Sequence, residues 1–298
     1  MKQVPLPDGT PTSQIGFGCA ALFAGPGLET ARRLVGAALD AGIRHFDTAP
    51  AYGSGTSEDA LAAALEGRDH GVTITTKLGL ARPAAAAPAS AGLKLRQFAR
   101  KALAFAPGLK AKLGQRAYQM SRRTDFSIDA LEASLADSLK RLRRERVDVL
   151  LLHEPEPHDV TDELARWMED KVAQGRAGTV GFGAKRTNLA AVLANWPNTP
   201  FVQTDWSPEG LPQGASGTMH FRSYHGALRS RAEVGARIDA DAALRQRLVA
   251  HGIDLAAPNA SAEAALALAL GDNPEGLLLI TSSSPERIAH AAKAAALR

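Results

Sequence analysis

A single cysteine, Cys19, stands in the 298-residue sequence, so no internal disulfide can form and a reducing, cytoplasmic setting is expected. No apolar run approaches the roughly 18 residues that a membrane helix needs, so no membrane span is expected. The opening segment MKQVPLPDGT places proline and aspartate where a signal peptide would carry its apolar stretch. No fixed period repeats along the chain, and the sequence shows neither a metal-ligand cluster nor a phosphate-binding P-loop. What remains is ordinary for a globular chain. With 45% hydrophobic and 22% charged residues, disorder and fibrous structure are excluded.

The net charge of +4 is unevenly placed. Residues 94–123 hold nine basic side chains (Lys94, Arg96, Arg100, Lys101, Lys110, Lys112, Arg116, Arg122 and Arg123) and no acid. The rest of the chain then has 26 bases against 31 acids, a net charge of −5. One basic segment on an acidic body argues against a nucleic-acid partner. The segment itself admits three readings: a solvated lid, a surface that attracts an anionic substrate or cofactor, or a partner or membrane surface.

Short strand-like runs recur at 14–20, 44–49, 73–78, 147–153, 179–184, 201–207, 219–225 and 276–282. Helical stretches separate them at 28–41, 57–67, 127–143, 159–174, 187–195 and 259–270, with a last one at 284–296 and a further one at 240–251. Eight strands alternating with helices imply a parallel sheet, and runs such as VDVLLLH are apolar on both faces, as doubly buried strands must be. The expectation is α/β: one (β/α)₈ TIM barrel spanning 1–298, with an insertion at 79–126 after strand three. The Gly- and Pro-rich stretch 208–218 predicts an irregular sixth crossover.

In such a barrel, chemistry gathers at the C-terminal strand ends. Asp47 closes strand two, Tyr52 follows in the loop, Lys77 lies near the end of strand three and His153 ends strand four. Any one of these alone reads as a rim residue; four around one opening read as a site. A phenol is a poor acid at neutral pH, and a nearby ammonium makes it a better one. Lys77 would serve Tyr52 in this way, Asp47 would keep Lys77 charged, and His153 would align a carbonyl oxygen. The group supplies a proton but no electrons, so a carbonyl reduction also needs a hydride from a cofactor.

These residues sit in segments that resemble the aldo-keto reductase family. AGIRHFDTAPAYGSGTSEDALAAAL (41–65) is similar to its signature with the Asp and Tyr, TTKLG (75–79) to the segment with the Lys, and VDVLLLHEP (147–155) to the one with the His. The resemblance implies a catalytic tetrad of Asp47, Tyr52, Lys77 and His153, with Tyr52 as general acid. It further implies reduction of a small aldehyde or ketone with NADPH (oxidised to NADP+) in preference to NADH. TSSSPERIA (281–289) is similar to the family's grip on the adenosine phosphate, through Thr281, Ser282, Ser283 and Arg287. Gln203 matches the glutamine that contacts the nicotinamide amide. Gly18 and Asp47 also join the implied cofactor residues, as does Tyr224, taken as the aromatic that stacks on the nicotinamide, with Ser223 as the other register.

The chain departs from the family elsewhere. Gly183 and Ala184 replace a Ser-Asn pair, and His290 and Ala291 replace a Glu and an Asn that contact the adenine. Backbone groups, Lys185 or Trp206 stand nearest to compensate. Two alternatives therefore stay open: an NAD(P)-dependent dehydrogenase of a sugar or lactol, and a cofactor-impaired barrel acting as a binding or regulatory protein. The sequence ends at Arg298 directly after the last helical stretch, so the insertion, the 208–218 loop and Trp206 are expected to shape a mouth tolerant of aromatic or aliphatic substrates. A monomer or weak homo-oligomer is expected.

Overall fold

Alternation of buried strands with amphipathic helices closes the chain on itself. The computed structural model describes residues 1–83, 123–215 and 220–296. Eight strands form a closed parallel barrel: β3 (Ile15–Gly18), β4 (His45–Asp47), β5 (Thr73–Leu78), β6 (Val147–His153), β7 (Ala177–Gly183), β8 (Phe201–Asp205), β9 (Phe221–His225) and β10 (Leu277–Ile280), with β10 pairing back onto β3. Most are no longer than their expected runs, but β7 begins two residues earlier than its run and is one residue longer.

The outer layer among the described residues is α1 (Leu28–Asp40), α2 (Ser57–Leu65), α3 (Ile128–Leu142), α4 (Asp162–Ala173), α5 (Arg186–Asn195), α6 (Arg231–Ala240), α7 (Ala242–Ala250), α8 (Ala260–Gly271) and α9 (Pro285–Ala296). Helix α1 shows why they dock: Ala31, Leu34, Val35, Ala38 and Leu39 repeat at helical spacing and are all buried. Thr161 caps α4 by accepting from the Leu164 N–H at 3.2 Å, and Asp241 caps α7 by accepting from Leu244 at 3.0 Å. None of the helices in the described residues is long and apolar enough to cross a membrane.

Two elements lie outside the expected pattern. The first is α6, whose single buried pair, Val234 and Ile238, gives little periodic signal. The second is an N-terminal hairpin, β1 (Gln3–Pro5) with β2 (Pro11–Ser13), turning through Asp8 and Gly9. Val4 and Leu6 from this hairpin pack on Val149, Leu151, Phe201 and Leu277, which point into the barrel from its N-terminal end. The hairpin therefore closes the floor.

No helix joins β8 to β9 among the described residues, in keeping with the irregular crossover read from 208–218. The lid and anion-attracting readings of the basic segment fall on residues outside those described, apart from its stems. There Ala81 donates to the Arg123 carbonyl and Asp125 to that of Gly79, both at 2.8 Å, so the chain leaves and returns side by side.

Candidate active site at the barrel mouth

Strand register decides which side chains meet inside. Gly18 pairs with Asp47, Lys77 with Leu151, His153 with Gly183, and Gly183 with Gln203. Since directly opposed residues share a face, these positions line the lumen together. Lys77 is 1% and Asp47 3% exposed. The Lys77 ammonium donates to Asp47 Oδ1 at 2.5 Å, to the Thr48 carbonyl at 3.2 Å and to Tyr52 Oη at 3.4 Å. Burial alone would lower the Lys77 pKa, but the charge of Asp47 and the contact with Tyr52 outweigh it and hold the pKa above the usual lysine value. The ammonium also lies 4.9 Å from the centre of the Tyr52 ring, and the His153 ring meets that ring edge-on at 5.5 Å.

Local backbone geometry brings Tyr52 there. The turn Tyr52–Gly55 contains three successive left-handed residues, Gly53, Ser54 and Gly55, at φ +56°, +53° and +87°. At position 53 only glycine fits, because a Cβ would lie 1.9 Å from the Leu22 carbonyl oxygen. Below the site, His45 is completely buried between Thr73 Oγ1 (2.9 Å from Nδ1) and Thr75 Oγ1 (3.0 Å from Nε2). Burial pushes its pKa down to about 4, with Lys77 assisting and Asp47 opposing. Burial and the Asp47 charge likewise push the Cys19 thiol well above its usual range, so it stays protonated.

A cleft of about 840 Å³ opens beside the mouth, between the end of β10 and α9. Thr281, Ser282, Ser283 and Arg287 line it, joined by Arg231 and His290. Three of the expected grip residues, Thr281, Ser283 and Arg287, are solvent-exposed, and Ser282 is half-buried. Ser282 Oγ accepts from the Ser284 N–H at 3.1 Å, and Ser284 Oγ accepts from that of Arg287 at 3.4 Å, which shapes the start of α9. A Cβ on Gly18 would lie 2.5 Å from Thr281 Oγ1, so the bare glycine lets that hydroxyl reach the lumen. Hydroxyls, two guanidiniums and a helix start around one cleft fit the anionic end of a dinucleotide. Two acids share the cleft: Glu263, which pairs with His290 at 2.8 Å, and Glu286, which accepts from the Ser284 hydroxyl.

The family model for the aldo/keto reductase family matches residues 14–208. The chain belongs to the aldo/keto reductase family. It is 35% identical over 179 residues to D-threo-aldose 1-dehydrogenase of a Pseudomonas species, covering 57% of this chain and 49% of that protein. It is 28% identical over 179 residues to the aldo-keto reductase YhdN of Bacillus subtilis, covering 58% of this chain and 44% of that one. The match thus spans about half the length of these curated relatives. The solved aldo-keto reductase AKR11C1 of Bacillus halodurans superposes with a TM-score of 0.70 at 19% identity, covering 99% of this chain and 90% of that one, which speaks to the fold.

Within this aldo/keto reductase barrel, Asp47, Tyr52, Lys77 and His153 are brought together, and Thr281, Ser282, Ser283 and Arg287 share the neighbouring cleft. Gln203 faces the lumen but is engaged with the protein itself, its amide donating to Asp47 Oδ2 at 2.8 Å. Tyr224 is placed differently from the expectation. Its strand neighbour Ser223 pairs with the inward Leu277, so Tyr224 points to the helix layer, where it lines a small cavity with Trp206, Arg186 and Arg222. Trp206 is likewise turned outward, 4% exposed, its indole N–H donating to Asp272 at 2.9 Å. Neither aromatic lines the mouth.

Polar groups stand there instead. His225, two residues beyond Ser223, is the inward aromatic at the end of β9, and its Nδ1 lies 3.2 Å from Asp205 at the end of β8. Arg229 pairs with the same Asp205. Burial lowers the His225 pKa, while Asp205 and Asp47 pull the other way. Counting alternate residues back from His225 to Phe221 would have found this position, had the strand's start been fixed. Gly183 and Ala184 offer no side-chain donor, although a Cβ at 183 would rest in ordinary contact, 3.4 Å from Gln203 Oε1. The absence of a serine there is not forced by space.

Proposed function

We propose that this chain is a nicotinamide-dependent oxidoreductase that interconverts a small carbonyl compound and its alcohol, using NADPH in preference to NADH. The observation that carries this reading is the buried Lys77 ammonium, set between the Asp47 carboxylate and the Tyr52 hydroxyl. In the reductive direction the reduced nicotinamide supplies the hydride for the carbonyl carbon. Tyr52 gives its proton to the carbonyl oxygen, and the adjacent ammonium stabilises the phenolate that remains. Asp47 holds Lys77 charged and in place. His153, edge-on to Tyr52, orients the oxygen toward the phenol. Thr281, Ser282, Ser283 and Arg287 would hold the phosphate end of the cofactor, and Gly18 and Gln203 border its path into the lumen.

The same residues serve the reverse reaction, with Tyr52 phenolate taking the proton from a hydroxyl. That direction, on a sugar or lactol, is favoured by the polar wall of Asp205, His225 and Arg229 and by the likeness to D-threo-aldose 1-dehydrogenase.

Tryptophan-fluorescence titration with NADPH and NADH, followed by turnover of carbonyl compounds and of sugars with oxidised cofactor, tests the reading. Micromolar NADPH affinity that exceeds NADH affinity, with turnover abolished in Tyr52→Phe but cofactor binding kept, is expected. Failure of the folded protein to bind either cofactor would overturn it and favour a barrel that binds without catalysing.

A further inference from the structure

The turn that carries Tyr52 is gripped from behind by one side chain. Arg82, four residues beyond the end of β5, donates Nη1 to the Gly55 carbonyl, Nη2 to Glu58 Oε2 at 2.5 Å and Nε to Asp137 Oδ2 at 3.1 Å. Its three acceptors belong to three elements: the Tyr52–Gly55 turn, α2 and α3. The guanidinium is the natural choice for this task, since its planar fork presents several donors in fixed directions.

Glu58 makes the grip more than a surface contact. Its carboxylate is completely buried, and its other oxygen accepts from Thr76 Oγ1 at 2.7 Å. Thr76 immediately precedes Lys77 on β5. A carboxylate in such a place needs a charged partner, and Arg82, with a side chain 18% exposed, provides it. The Glu58–Arg82 pair therefore ties the strand of Lys77 to the turn of Tyr52 on the side away from the lumen.

The turn needs such an anchor. Residues 53–55 run left-handed in succession, and Ser54 has a side chain in a region that L-residues rarely occupy. The Arg82 stem also packs where a Cβ at Gly55 would stand, 3.0 Å from that position, so the bare Gly55 and the arginine fit one another.

We propose that Arg82 is a positioning residue for Tyr52: by clasping the Gly55 carbonyl and Glu58 together it sets the distance of the phenol from Lys77, and so the phenol's strength as an acid. This rests on the reading of Tyr52 as the proton donor. Among the described residues, Lys77, Asp47 behind it and His153 face the phenol. Arg82 touches none of them, and its effect passes through the turn.

The test is an ultraviolet titration of the phenol, taken as the difference between each protein and its Tyr52→Phe counterpart, so that Tyr118 and Tyr224 cancel. Arg82→Ala is expected to raise the Tyr52 midpoint by about one unit, as the ammonium's influence weakens with distance. Turnover should fall by about tenfold or more at nearly unchanged KM, and added guanidinium should restore part of both. Arg82→Lys, which keeps the charge but lacks the fork, should fall between. Asp137→Asn, which spares the Gly55 and Glu58 contacts, should leave the midpoint alone.

A folded Arg82→Ala protein with an unshifted Tyr52 midpoint and unchanged kcat overturns the proposal. If that variant fails to fold, Arg82→Lys decides: a raised midpoint supports the positioning role and an unmoved one overturns it. Full turnover in Tyr52→Phe would instead sink the proton-donor reading, while the titration would still report whether Arg82 places the phenol.

Discussion

The two sides of the mouth are built on opposite plans. Along β4 to β6, Asp47, Lys77 and His153 are buried, and Asp47 and Lys77 hold one another, Gln203 and Tyr52 in one hydrogen-bonded knot. Along β7 and beyond β10, Gly183 and Ala184 bring no side-chain donor, while Thr281, Ser283 and Arg287 stand in solvent. The family match covers the first side and β7 and stops at residue 208, before β9, β10 and α9. Moving a proton depends on one distance and one nearby charge, both of which need burial. Gripping an anion needs only donors, and amides, hydroxyls or guanidiniums at a helix start can replace one another. The first side should therefore be intolerant of change and the second forgiving.

The largest effect should come from Lys77→Met, which strands the Asp47 carboxylate in the lumen. Breaking a buried ion pair in this way costs about 3–5 kcal/mol, to be read by urea denaturation at neutral pH. Adding Asp47→Asn should recover most of that loss without restoring turnover; no recovery would mean that the pair does not account for the damage.

Next comes the layer just below. His45 is neutral when folded, with a pKa of about 4 against its ordinary 6.5. Unfolding then takes up a proton below pH 6.5, so this contribution is full above pH 6.5 and is lost as the pH falls toward 4, by about 3 kcal/mol in all. His45→Gln should flatten the pH dependence of stability across that window, and an equally steep loss in the variant would place its origin elsewhere.

On the forgiving side the effects shrink. Arg287→Ala should weaken NADPH binding by about 1.5–3 kcal/mol, the worth of a charge-assisted hydrogen bond, and leave NADH nearly unchanged. Equal weakening of both would show that Arg287 does not read the extra phosphate. Smallest of all, Gly183→Ser has the space to fit and adds one neutral donor, so cofactor should bind up to about tenfold tighter. Looser binding would show that the missing serine is no defect.

Much of this architecture was legible in the residues because parallel strands buried on both faces leave apolar runs that few other structures produce. The four residues Asp47, Tyr52, Lys77 and His153 were legible through strand ends and a specific resemblance. Their geometry was less so. Nothing in the spacing shows that Gln203 spends its amide on Asp47, or that Glu58 and Arg82, 24 positions apart, meet behind the turn. The hairpin escaped because three-residue strands bounded by Pro5 and Pro11 carry no periodicity. Tyr224 was misplaced by one residue, and in a strand one residue exchanges inside for outside.

The hairpin that seals the floor has a consequence for traffic. With Val4 and Leu6 stopping the lower end, the barrel built by the described residues is a blind alley whose door is the mouth. Whatever binds at the bottom of that alley blocks nothing above it, whereas whatever sits at the door detains everything below. Any ligands that meet at the mouth would share this approach, so the depth at which each rests fixes the sequence in which they can come and go.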